Sequence, residues 1–124
     1  MTTVLIIDSD PALRLLARRV LESAGFTVID TGDVTAALGL LSARKVDLVI
    51  CDIEGSEAGG KSPASIVADA DPSPHILPMF SKHQNAAGVL PYMRGGLGKP
   101  FTASELLTKV RRALGARRQN RGSD

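Results

Sequence analysis

The run Val46-Asp47-Leu48-Val49-Ile50-Cys51-Asp52-Ile53-Glu54-Gly55 restricts the fold more than any other stretch of the chain. Its centre is apolar without the polar alternation of a half-exposed strand. That is the pattern of a strand covered on both faces, as in a parallel sheet flanked by helices. The run ends on a carboxylate and then meets a break. In open α/β sheets the ligand crevice lies beyond the carboxyl ends of the strands, so Asp52 stands where chemistry is done. Asp also starts turns readily, and from this run alone an Asp that merely caps a turn is the competing reading.

Val4-Leu5-Ile6-Ile7 repeats the pattern and ends in Asp8-Ser9-Asp10, so a second buried strand delivers acids to its carboxyl end. Asp10-Pro11 then opens a helix, with Asp over the free amides and Pro at the first helical position. Leu13, Leu16, Ala17, Val20 and Leu21 follow helical spacing, and Gly25 fits its stop. Phe26 to Asp30 is a short strand. Asp33 starts a helix with Val34, Ala37, Leu38 and Leu41 facing inward. Gly55 to Lys61 is a glycine-rich loop, and Ser62-Pro63 starts a short helix to about Ala68. Asp71-Pro72-Ser73-Pro74 precedes a fourth strand, His75 to Ser81, in which Pro78 predicts a bulge or an irregular segment because it removes a ladder donor. Lys82 to Gly98 is the least regular stretch: Asn85 to Leu90 has room for a turn or two of helix before Pro91, Gly95 and Gly96. Leu97 to Phe101 closes the last strand. Thr102 and Glu105 make a capping box, and Leu106, Leu107, Val110 and Leu114 give the final helix its buried face, with Gly115 as its expected end. Strands alternating with helices, about five of each, call for a parallel sheet with helices on both faces and right-handed crossovers.

Composition sets bounds on function. At 124 residues and 44% hydrophobic content the chain makes one domain with one core, expected over residues 1–115, followed by a disordered polar basic tail over 116–124. No apolar stretch approaches the ~20 residues of a membrane span, and Met1-Thr2-Thr3 has no signal-peptide pattern, so a cytoplasmic location is expected. Cys51 is the one cysteine, which excludes a disulfide framework or thiolate cluster and suits a small core hydrophobe. The net charge of +2 comes with a cluster of Lys109, Arg111, Arg112, Arg117, Arg118 and Arg121 near the C-terminus, where cations suit the helix dipole. With three Phe, one Tyr and no Trp, stacking platforms are scarce, and nucleic acid is not the expected partner. His75 and His83 read as structural or solvated, and Gly59-Gly60-Lys61-Ser62 lacks the spacing of a phosphate loop.

Acids after strand one, Asp52 after strand three and Gly98-Lys99-Pro100-Phe101 after strand five together resemble the receiver domain of two-component response regulators, single-domain chemotaxis-type regulators included. The resemblance runs from Val4 to about Leu114. It implies a flavodoxin-like doubly wound α/β fold with five parallel strands in the order 2-1-3-4-5. It also implies that Asp52 accepts a phosphoryl group from a sensor histidine kinase or phosphotransfer protein, with Mg2+ held by Asp8 and Asp52. Lys99 would pair with one phosphoryl oxygen and Ser81 would donate a hydrogen bond to another. A signalling module rather than an enzyme is expected, acting on a downstream protein target, by shuttling phosphate, or through a domain beyond this chain.

Several positions depart from the family pattern. Two adjacent acids usually end strand one; here Asp8 is followed by Ser9, a weak neutral ligand for Mg2+, and Asp10 is committed to the helix start. Glu54 lies two residues past Asp52, on the same side if the backbone stays extended, and either restores part of the missing charge or faces solvent. Ser56 replaces a common Pro, which frees the loop. Gly96 stands where an aromatic usually precedes the lysine by three residues, and the segment between Ser81 and Lys99 is about one helical turn short, so a signal would leave by another route or weakly. These departures support a second reading, a divergent pseudo-receiver acting as a phosphorylation-independent interaction module. A flavin or nucleotide binder of similar topology would need a phosphate loop after strand one.

Overall fold

The computed structural model describes residues 1–53, 62–70, 74–81 and 95–122. The expectations for Glu54, for the loop containing Ser56, for 71–73 and for 82–94, including His83, lie outside the described residues. In chain order the described elements are β1 (Thr3–Ile7), α1 (Pro11–Ser23), β2 (Thr27–Thr31), α2 (Val34–Ala43), β3 (Leu48–Asp52), α3 (Pro63–Ala68), β4 (Ile76–Ser81), β5 (Leu97–Lys99) and α4 (Ala103–Gly122). All strands pair in parallel, in the order β2-β1-β3-β4-β5, as the resemblance implied.

The unbroken apolar runs have a simple cause. Val4 and Ile6 of β1, with Leu48 and Ile50 of β3, enter a core that includes Ala17 and Leu21 of α1 and Leu106 and Val110 of α4. The alternate residues Leu5, Ile7, Val49 and Cys51 enter a second core with Val34, Ala37 and Val67 of α2 and α3. Side chains alternate along a strand, so a sheet covered on both faces needs an apolar residue at every position. Each fully buried Leu or Ile contributes about 1.5–3 kcal/mol relative to exposure.

Local signals set the element ends. Asp10, Asp33 and Ser62 accept from Ala12, Thr35 and Ser65 amides at the starts of α1, α2 and α3. The Thr102 Oγ1 accepts from the Glu105 N–H (3.1 Å) while the Glu105 Oε1 accepts from the Thr102 N–H (2.9 Å). Helix α1 closes with Gly25 at φ +95°, where its N–H donates to Glu22 O and the Phe26 N–H to Leu21 O. This paired closure needs a left-handed residue, which glycine adopts without a Cβ penalty.

Two expectations are corrected. Pro78 makes no bulge: β4 runs in register with β3, Cys51 opposite Pro78. The His75 and Met79 carbonyls accept from Val49 and Ile53 amides, so odd-numbered β4 residues bond to β3 and Pro78 turns the other way. On that side β5 begins only at Leu97, opposite Met79, and the missing donor falls before the ladder starts. Gly115 does not end the last helix, whose backbone stays helical to Gly122 through most of the expected disordered tail. One interior glycine costs about 1 kcal/mol, which neighbours such as Ala113, Leu114, Ala116, Arg117 and Arg118, all good helix formers, offset.

Candidate functional site

Asp8, Asp52, Ser81 and Lys99 all stand at the carboxyl rim of the sheet because each follows or ends an apolar strand. Pairing persists one step past β1 and β3: the Asp8 N–H donates to Thr31 O (3.2 Å) and the Ile53 N–H to Met79 O (3.0 Å). Asp8 and Asp52 are therefore held by neighbouring strands rather than by loops. Ser81 lies directly opposite Lys99 in the β4–β5 register.

Lys99 joins these ends. Its Nζ donates to Asp52 Oδ2 at 2.9 Å and to Asp8 Oδ2 at 3.1 Å. At ~4.8 Å per strand step, β5 is about 10 Å from β3 and 14 Å from β1, so only a long stem laid over the rim, met by both carboxylates, spans the gap. The site is largely withdrawn from water: Asp8 is 4% exposed, and the Asp52 and Lys99 side chains 18% and 21%. Burial pulls the Lys99 pKa down, and is the largest single influence. Hydrogen bonds and charge from Asp52 and then Asp8 together outweigh it and hold the pKa above the ordinary value of 10.5.

The second oxygen of Asp8 accepts from the Asp10 N–H at 2.8 Å, which fixes the carboxylate plane. The Asp10 carboxylate faces the Ala12 amide (2.9 Å), so it is spent on the helix start, as its position before Pro11 implied. Ser9 is exposed. Among the described residues no three His, Cys, Asp or Glu gather at one point, and the rim offers two carboxylates. Mg2+ is commonly held by one or two carboxylates with water and phosphate completing its shell, so this donor set fits that ion. His75 plays a structural part, its Nε2 lying 3.0 Å from Ala113 O of α4.

Residues that strand and cap patterns do not single out also reach the site. Arg14 Nη1 donates to the Asp8 carbonyl at 2.7 Å, and its Nε to Asp30 Oδ2 at 3.0 Å. The available signal was an arginine one turn into α1 with an acid at the end of β2. Beside Lys99, a hollow of about 270 Å³ lies between α1 and the turn after β5, lined by Asp10, Leu13, Leu16 and Phe101 among others.

A five-stranded parallel sheet in this order, with two carboxylates and a lysine joined at its carboxyl rim, defines a receiver-type signalling domain. The chain matches the response regulator receiver domain over residues 4–111 and belongs to that family, part of two-component signalling. It is 34% identical over 122 residues, 94% of its length, to the C4-dicarboxylate transport transcriptional regulatory protein DctD of Rhizobium meliloti. It is 29% identical over 115 residues, 90% of its length, to the DNA-binding transcriptional regulator NtrC of Bradyrhizobium. The chain spans about a quarter of both relatives, 26% and 24%. Among solved structures it resembles NtrX from Brucella abortus, with a TM-score of 0.82 at 25% identity over 99% of this chain and 29% of that one. A receiver domain protein from Clostridium thermocellum shares the fold, with a TM-score of 0.77 at 20% identity, covering 96% of this chain and 98% of that one. No helix among the described residues is long and apolar enough to cross a membrane.

Proposed function

We propose that this domain accepts a phosphoryl group on Asp52 from a phosphohistidine of a sensor kinase or phosphotransfer protein and signals, in the cytoplasm, to a downstream protein. On this reading it is a signalling module, not an enzyme. The observation that carries the reading is the single ammonium shared by Asp8 and Asp52, which brings three separate chain segments to one point at the sheet rim.

The chemistry asks mainly for alignment and charge. An Asp52 oxygen attacks phosphorus, the P–N bond breaks, and the imidazole nitrogen retains the electron pair and takes up a proton; the product is an acyl phosphate on Asp52. On this reading Lys99 leaves the carboxylates to pair with one phosphoryl oxygen, and Ser81, opposite it in the strand register, donates to another. Asp8 and Asp52 would hold Mg2+, which when bound neutralises phosphoryl oxygens. Asp8 contributes fixed negative charge on a rigid strand end, and Asp52 the nucleophile.

Incubation with a small phosphodonor and Mg2+, followed by intact mass measurement, tests the reading. Wild type should gain one phosphoryl group, and Asp52→Ala should gain none. The exposed Ser9, where an acid usually stands, favours the second reading of a phosphorylation-independent interaction module. Wild-type protein that gains no mass would support that module and defeat the first reading.

A further inference from the structure

We infer that Arg14 is a positioning residue for the cation site: seated in a slot left open by Gly32, its guanidinium ties the Asp8 backbone to Asp30 and so fixes the Asp8 carboxylate. The inference rests on the reading that Asp8 holds Mg2+. Arg14 Nη1 donates to Asp8 O at 2.7 Å and Nε to Asp30 Oδ2 at 3.0 Å. Arg18 Nη1 grips the other Asp30 oxygen at 2.6 Å, and Arg18 Nε lies 3.4 Å from Glu22. Asp30 is thus held from both sides and anchors Arg14. The Arg14 and Asp30 side chains are each 21% exposed, so this charged pair is partly shielded from water.

Gly32 belongs to the same device. It is not among the glycines with positive φ, so its backbone does not require glycine. Space does: a Cβ at Gly32 would lie 2.8 Å from Arg14 Nη1, the nitrogen that holds Asp8, and 3.5 Å from both Arg14 Cζ and Asp8 O. An alanine there must displace the guanidinium while leaving its charge in place. The Asp8 carbonyl belongs to the residue whose carboxylate faces Lys99 and the Asp10 amide, so freeing the carbonyl removes one of the holds on that residue and leaves its N–H bond to Thr31 O as the remaining backbone tie. With Ser9 supplying no second acid, the orientation of Asp8 matters more than in a site with a spare carboxylate.

The sign of the effect separates positioning from simple charge. Removing a cation near a Mg2+ site strengthens Mg2+ binding by Coulomb's law, so weaker binding can come only from lost orientation. For Arg14→Ala and Gly32→Ala the Mg2+ dissociation constant should rise about fivefold, part of what a charge-assisted hydrogen bond is worth. Arg18→Ala, which leaves the Asp8 contact intact, should stay within about twofold. Without metal, amide hydrogen exchange at Asp8 and Asp10 should speed up about tenfold in Arg14→Ala and Gly32→Ala, with Leu5 and Ile6 unchanged as a check on folding. Unchanged protection of Asp8 and Asp10 in either folded variant, or Mg2+ binding as tight as wild type in both, overturns the inference. Wild type that binds no Mg2+ would defeat the phosphoacceptor reading instead, and the exchange measurement would still decide whether Arg14 clamps Asp8.

Discussion

Replacing Lys99 by Met keeps most of the stem and removes the ammonium that two carboxylates share. What remains is Asp8, 4% exposed, facing Asp52 with no cation between their Oδ2 atoms. Breaking a fully buried pair costs about 3–5 kcal/mol and an exposed one about 0–1. With Asp52 and Lys99 at 18% and 21% exposure the cost falls between these limits, near 2 kcal/mol. For a chain of this size that lowers Tm by about 6–10 °C. The assay is a thermal melt followed by circular dichroism near neutral pH in chelator, repeated with Mg2+. The added ion should raise the Tm of Lys99→Met more than that of wild type, because in the variant it does not compete with an ammonium; at ten times Kd, binding is worth about 1.4 kcal/mol. Adding Asp52→Asn to Lys99→Met should recover at least part of the loss, since one of the two opposed charges is gone. A Lys99→Met melt within about 1 °C of wild type in chelator would refute the reasoning.

Other outcomes rest on the same geometry. The raised Lys99 pKa means that its bridge contributes fully below the ordinary value of 10.5 and is lost as pH climbs through the higher folded-state value. The stability gap between wild type and Lys99→Met should therefore close in strongly alkaline solution, as read from denaturant midpoints across that range. Ser9→Asp should tighten Mg2+ binding about tenfold by calorimetry, the change that about 1.4 kcal/mol from one more carboxylate ligand gives. Unchanged affinity would show that position 9 does not face the cation. Thr102→Ala removes the hydroxyl that holds the Glu105 amide and should cost about 1 kcal/mol in urea unfolding, with α4 otherwise intact.

Much of this molecule was legible in one dimension because its causes are local. Asp10, Asp33, Ser62 and Thr102 mark helix starts through bonds to amides two or three residues away, and those bonds form as the spacing indicates. The apolar runs ending at Ile7 and Cys51 signal strands covered twice, and the acid next in each chain, Asp8 or Asp52, must emerge at the carboxyl rim. Pro78 was misread because its cost depends on where a different strand begins. Gly115 was misread because a glycine ends a helix only when its neighbours do not sustain it.

Lys99 was singled out by the family resemblance; chain order and residue type alone determined the succession of strands and helices, the two-faced core and the identity of the acids at the rim. They did so because periodicity and capping act over one to four residues. Only the folded sheet decided that Lys99 reaches both Asp8 and Asp52, and that Gly32 leaves room for Arg14 to hold Asp8 against Asp30. Those contacts join residues from 16 to 91 positions apart where they link side chains. They depend on strand order and on the direction a long cationic side chain takes, and neither is written in any short stretch of sequence.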